Sequence, residues 1–253
     1  MYHIDNPTGN IPIKHAAPLL KDLHPLIKKA IPLSLGDNYK SFRIVGTNHD
    51  LVELYGGKLK EGTLWIKDFE VTIGKSVADD TGLKIGDSFV SSHGFNEDDD
   101  MAHDHSSFKV VGILEGTGSV IDQLILTNTA TIWLVHEHEG ESDVAEADKT
   151  HESHDNSNAE LLNHPEQEIT SVLIQYKSRT NFQALNFGRN INENTEMQAA
   201  SPAIEINRLY NMIGVGTEAL RSLAILIAIV SALSIFISLF KSMRERKYEL
   251  AII

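Results

Sequence analysis

LAILIAIVSALSIFISLF, residues 223–240, decides how the chain is organised. It has eighteen residues, no charge, and three serines as its only polar positions. As an α-helix it is about 27 Å long, close to the hydrocarbon thickness of a bilayer. A buried core helix is the competing reading, and the flank decides against it. Lys241, Arg244, Arg246 and Lys247 follow at once. Such a cluster marks the cytoplasmic end of a transmembrane helix. The sequence therefore predicts a span at 223–240, with residues 1 to about 215 outside the cytoplasm, in the periplasm of a Gram-negative cell. The opening MYHIDNPTGN has neither a basic n-region nor an apolar h-region, so it does not read as a signal peptide. A large outer domain needs an upstream signal or helix, and ELAII at the other end carries no helix stop. The expectation is an internal piece of a longer polytopic chain.

Working outward, the rest reads as a globular domain. The chain has 253 residues, 42% of them hydrophobic, which suffices for a core. The net charge is −13 with no basic face, which argues against a nucleic-acid partner. There is no cysteine, so disulfides and thiolate chemistry are excluded.

Short apolar runs separated by turn residues predict alternating strands and helices. Helical spacing runs over 14–30 with an interruption at Pro25. Strands are expected at 33–35 and 42–45 around a Gly36-Asp37-Asn38 turn, with a helix at 51–55 closed by Gly56-Gly57. A strand at 71–73 leads to a helix at 75–80 with Gly82 as its C-cap. Strands follow at 89–90, 108–114 and 124–126. Thr127-Asn128-Thr129 offers N-caps for a helix through 135. A strand at 170–176, a helix at 182–191 and a long helix from Ala203 complete the chain. The fold class is mixed α/β (α+β): residues 1–202 form the outer domain, 203–247 a long helix, and 248–253 the start of a cytoplasmic segment.

Two stretches interrupt this pattern. Residues 93–107 and 136–168 are polar, acidic and rich in histidine, and the second holds eleven acidic residues against the single base Lys149. Both read as mobile surface loops, too polar to build a core.

PLSLGDNYKSFRIVGT at 32–47, GKSVADDTGLKIGD at 74–87, FKVVG at 108–112 and MRERKYELAII at 243–253 occur in that order around the membrane segment. Together they resemble the periplasmic core domain and following segment of MacB/FtsX-like ABC transporter permeases. The second is similar to that family's "G…vA…gl.vGd" element, the third to its "f.VvGi" strand, and the last to its cytoplasmic "R..EiaiLRa.Ga" segment. The resemblance implies a periplasmic core domain between the first two of four transmembrane helices. It implies pairing with a second permease subunit as a dimer, contact with membrane lipid, and a cytoplasmic ABC ATPase subunit that hydrolyses ATP. A periplasmic adaptor is a further partner it suggests. Movement would be coupled through Arg244, Glu245, Arg246, Lys247 and Glu249. The chain carries no G-x-x-x-x-G-K-[ST] loop of its own, and the reading is of a transport subunit, not an enzyme.

Twelve histidines is a high count, and eight fall between His93 and His164. His103/His105 and His136/His138 are H-x-H pairs whose imidazoles share a face in extended chain. His151 and His154 would share a face in a helix. With acidic neighbours these six suit weak zinc or copper binding; a solvated acidic loop explains them equally well. H-E-x-x-H is absent, since His151-Glu152-Ser153-His154 is one residue short, so a zinc-dependent hydrolase lacks its ligand frame. The alternative to a permease is a membrane-anchored periplasmic metal-binding sensor. MRERKYELAII resembles the permease segment rather than a receptor linker.

Overall fold

Successive side chains of a strand point to opposite faces of its sheet, so consecutive apolar residues suit a strand covered on both sides. Ile44-Val45, Ile113-Leu114 and Ile125-Leu126 are three such pairs, and all six side chains are buried. Ile44, Ile113 and Ile125 belong to one apolar cluster. Val45, Leu114 and Leu126 belong to another. The sheet that carries them therefore has a core on each face.

The computed structural model describes residues 9–21, 23–91, 107–137, 157–178 and 180–250. In chain order the elements are β1 (Ile11–Pro12), α1 (Ile13–Leu20), β2 (Ile27–Tyr39), β3 (Phe42–Thr47), α2 (Asp50–Leu54), β4 (Leu59–Gly62), β5 (Glu70–Ile73), α3 (Lys75–Thr81), β6 (Ser88–Val90) and β7 (Ser107–Leu114). A 3₁₀ turn at Val120–Gln123 leads to β8 (Leu124–Thr127), α4 (Thr129–Glu137), α5 (Asn158–Leu161), β9 (Glu168–Ile169), β10 (Ser171–Tyr176), α6 (Phe182–Asn194) and α7 (Pro202–Leu250). The large sheet runs β10-β2-β3-β8-β5-β7-β4, with β6 also on β7, and β1 pairs with β9 in a small second sheet. The pairs β3/β8 and β5/β7 are parallel and the others antiparallel. The class is mixed α/β, as the sequence predicts. The chain forms two units, Met1–Gln198 and Ala199–Ile253.

Each face is closed by helices whose apolar residues fit it. Val77 of α3 and Ile132 and Val135 of α4 join the first cluster, where Phe89 and Phe108 stack with ring centroids 5.6 Å apart. Leu51 and Val52 of α2, fully buried Trp65 and Ile121 close the second. Gly82 ends α3 in the left-handed conformation, with φ of 75°, which glycine adopts without a Cβ penalty.

Four expectations are corrected. The helix over 14–30 ends at Leu20, and residues 27–30 open β2 instead. Leu23 takes a left-handed φ of 58°, and the amides of Leu26 and Ile27 donate to His24 Nδ1, which turns the chain away from the helix. Gly36-Asp37-Asn38 is not a turn but a bulge inside β2, where the register to β3 shifts between Leu35 and Asn38. A Cβ on Gly36 would lie 2.7 Å from Ile132 Cδ1, so the glycine lets α4 sit on the strand. The reversal falls at Lys40, with φ of 53°. Residues 157–168 are not loop throughout. They hold α5, with Leu161 buried, and Glu168 begins β9. Finally, β1 and β4 join sheets although their sequences carry no strand pattern.

The loop before the 3₁₀ turn is tied by one carboxylate. Asp122, 9% exposed, accepts from Thr117 N at 2.9 Å, Thr117 Oγ1 at 2.8 Å and Gly118 N at 2.8 Å. Burial pushes its pKa up. The Thr117 and Gly118 hydrogen bonds and the Lys75 charge outweigh that and hold it below the usual carboxylate value. A lowered native pKa stabilises the fold above the unfolded pKa of about 3.9, and this contribution is lost as pH falls through the native value. Asp122→Asn should therefore cost about 1–2 kcal/mol at neutral pH. In urea unfolding the gap to wild type should narrow as pH drops below about 4; an unchanged gap would refute this role.

Candidate functional site

The residues singled out by sequence fall at two places. The first is α7, a single helix of 49 residues. Its stretch Pro202–Arg244 is long and apolar enough to cross a membrane, and no residue of its most apolar window is buried within the chain. The helix is about 73 Å long at 1.5 Å per residue, more than twice a hydrocarbon core of about 30 Å. Arg244, Glu245, Arg246, Lys247 and Glu249 all lie on its last turns. Side chains are described as far as Arg244, which is exposed. Gly214 and Gly216 are helical with open space around them, and Thr217 Oγ1 donates to Gly214 O at 2.8 Å. Back-bonding of this kind weakens and bends helices.

The histidines are the second. His103, His105, His138, His151 and His154 lie outside the described residues, and His136 is in the last turn of α4. Among the described residues no group of three or more His, Cys, Asp or Glu side chains is placed to hold an ion. His164 approaches Glu160, Nε2 to Oε1, at 3.6 Å.

That pair borders a cleft which sequence reasoning missed. It lies between Pro32 of β2, Thr47 and Asn48 at the end of β3, the first turns of α4, and the segment from Ser157 to His164. Four separate stretches build it, so no motif announces it. Of the three cap candidates Thr127, Asn128 and Thr129, Asn128 is the one that caps α4. Its Oδ1 accepts from Thr131 N at 2.7 Å, and its Nδ2 donates to Asp68 Oδ1 at 2.7 Å. Trp133 lines the opening, its ring 5.7 Å from that of His164, its Nε1 donating to Glu168 O at 2.7 Å. Thr47 Oγ1 donates to Pro32 O at 2.8 Å. Asn48, 7% exposed, donates through Nδ2 to Asn158 Oδ1 at 3.1 Å, and Asn158 Nδ2 donates to Ala30 O at 2.8 Å. Asn48 Oδ1 is buried without a hydrogen-bond partner.

No family model and no curated protein matches the chain by sequence. Its fold is that of the periplasmic region of MacB from Actinobacillus actinomycetemcomitans. The two are 12% identical with a TM-score of 0.50, over 80% of this chain and 84% of that one. The extracellular domain of the ABC-type transporter YknZ from Gram-positive bacteria aligns over 78% of this chain and 91% of its own, at 13% identity and a TM-score of 0.43.

The position of α4 over the sheet rests on Gly46. A Cβ there would lie 2.6 Å from Ile132 Cγ1 and 3.0 Å from both Asn128 O and Thr129 Cα. Gly46→Ala should destabilise the fold by about 1–3 kcal/mol. Adding Ile132→Val should recover only part of this in chemical denaturation, because the backbone contacts remain. A neutral Gly46→Ala would show that α4 moves freely.

Proposed function

We propose that this chain belongs to the membrane-spanning permease subunit of an ABC transporter. It would couple ATP hydrolysis by a cytoplasmic partner to movement of an extracytoplasmic domain, for export, lipid or lipoprotein extraction, or mechanotransmission. One joint observation carries the reading. A domain with the fold of the MacB periplasmic region is linked by residues 195–201 to a helix long enough to cross a membrane, and four basic residues follow the apolar stretch. Positive charge at that end supports a cytoplasmic reading for it and an extracytoplasmic one for the domain, at the bacterial inner (cell) membrane.

Coupling needs a rigid element between the ATPase and the domain. The unbroken helix α7 supplies it, and the turn around Gly214, Gly216 and Thr217 is its point of least stiffness, since each glycine costs about 1 kcal/mol relative to alanine. The last turns, with Arg244, Glu245, Arg246, Lys247 and Glu249, are the contact with the ATPase. A second permease subunit, surrounding lipid and a periplasmic adaptor complete the assembly.

The test is the double replacement Arg244→Glu and Arg246→Glu in the full chain. Like charges brought together at an interface cost several kcal/mol, so ATPase co-purification and stimulated hydrolysis should fall sharply. A reporter active only outside the cytoplasm, fused at residue 150, checks orientation in the same samples, because these arginines also help fix topology. Full assembly and hydrolysis in a correctly inserted double mutant would remove this segment as the coupling element. Failure of any ATPase to co-purify with the unmutated chain would remove the permease reading itself.

The acidic, histidine-rich stretches are proposed as weak zinc or copper sites through His103, His105, His136, His138, His151 and His154. Calorimetry should show more than one ion per chain, with affinity falling as pH drops through about 6.5. Deletion of 138–156 should remove part of this binding. The deletion stops at 156 because Asn158 and Leu161 belong to the packed domain. Equal binding by both proteins would exclude that stretch.

A further inference from the structure

The helix α6 has a light hold on the domain. Of its thirteen residues, Phe182–Asn194, only Ala184 and Ile191 are buried. Phe182 and Leu185, both large and apolar, stand exposed. Phe187 adds two ring contacts. Its ring lies 6.2 Å from that of Tyr176 at the end of β10 and 5.6 Å from that of His24, edge-on to both. His24 is therefore one of two rings against which α6 rests.

His24 is itself held in a way that depends on its charge. It is half-buried, follows Leu23 with its left-handed φ of 58°, and precedes Pro25. The amides of Leu26 and Ile27 both donate to its Nδ1 at 3.2 Å. An imidazole nitrogen accepts only while it carries no proton, and a protonated ring is a donor at both nitrogens. This turn therefore accepts the neutral ring with its proton on Nε2. A proton on Nδ1 would face two amide donors and cost both hydrogen bonds. The charged groups around the ring do not favour it either. Lys177, at the end of β10, donates through Nζ to His24 O at 2.8 Å and sets an ammonium beside the residue. On α6, Arg189 and Glu193 pair with each other at 2.8 Å. Lys21 and Lys28 flank the turn in sequence. Tyr176 carries no charge at neutral pH or below, since burial raises its phenol pKa.

We propose that His24 is a proton-sensitive catch: the neutral ring holds α6 on the domain, and protonation releases it while the sheet stays folded. Histidine suits such a device because its ordinary charge change falls between about pH 5 and 8. The hold is present while the ring is neutral and is lost as pH falls and the ring takes up a proton. Residues 195–201 connect α6 to α7, so release leaves more chain between the sheet and the membrane-length helix. The inference uses contacts within the outer domain alone. It does not rest on the permease reading, and either can fail alone.

The chain has no cysteine, so two introduced ones carry the only spin labels. Lys109→Cys on β7 and Asn190→Cys on α6 are both at exposed positions. In the full chain in detergent micelles, the distance between the labels is measured by pulsed electron spin resonance from about pH 8 to about pH 5. A single narrow distance is expected at the upper end. A second, broader population should grow on acidification and disappear on return to neutral pH. The indole N–H signal of Trp65, fully buried in the second core, should keep its position throughout and so report an intact domain. His24→Asn offers Oδ1 as an acceptor for the amides that follow it, as asparagine does in turns, and takes up no proton. It should hold α6 across the whole range. The midpoint of release should match the titration of the one ¹⁵N-histidine signal that this variant lacks. An unchanged distance at the acid end, the same acid release in His24→Asn, a midpoint apart from that of His24, or loss of the Trp65 signal together with α6 would each overturn the proposal.

Discussion

The domain depends on a sheet that must be dry on both faces. Ile44, Ile113 and Ile125 point one way and their neighbours Val45, Leu114 and Leu126 the other. Each such side chain contributes about 1.5–3 kcal/mol when buried. Neither half of the pairs is stabilised unless its face is covered. This forces α3 and α4 onto one side and α2 with Trp65 onto the other. It also explains where small residues are needed. Gly36 and Gly46 are the points at which Ile132 of α4 comes closest to the sheet, and a methyl group at either would meet it. The stretches 92–106 and 138–156 fall in sequence between β6 and β7 and between α4 and α5, next to elements that are themselves paired or packed.

What could be read from sequence follows from how local its cause is. The Gly82 cap, the Asn128 cap and the strands at 71–73, 108–114 and 124–126 are set by residues next to one another, and all appear where expected. The errors have distant causes. Residues 27–30 carry spacing that fits a helix or a strand, and pairing with β10 decides. Gly36-Asp37-Asn38 has the composition of a turn. It becomes a bulge because Asp37 is held by Ser91 Oγ, 54 residues away in sequence, and because α4 presses on Gly36. Asn158 and Leu161 sit in an acidic run and look solvated, yet a hydrogen bond to Asn48 and burial of one leucine suffice to seat α5. The cleft was invisible for the same reason, since its four stretches meet only after the sheet has formed. The six histidines and the charged end of α7 are legible as chemistry, but their arrangement is not a property of local sequence.

In the proposed function, charge favours one orientation of the chain across the membrane. The chain as a whole is strongly acidic, at −13, whereas the residues just beyond the apolar stretch of α7 include Lys241, Arg244, Arg246 and Lys247. An acidic domain is repelled by an anionic lipid surface, and a basic segment is drawn to the anionic cytoplasmic leaflet at about 1 kcal/mol per residue. Both effects favour the same topology, and neither depends on how the domain folds. In the proposed function the same cations would also serve a protein partner. A basic cluster that only anchored would not need Glu245 and Glu249 among its members, since carboxylates weaken attraction to anionic lipid. Interleaved signs instead suit a surface that must match another protein's charges and reject wrong ones. The mixed character of MRERKYELAII is therefore a better argument for a proteinaceous partner than its net positive charge, and it favours the proposed coupling role over that of a simple membrane anchor.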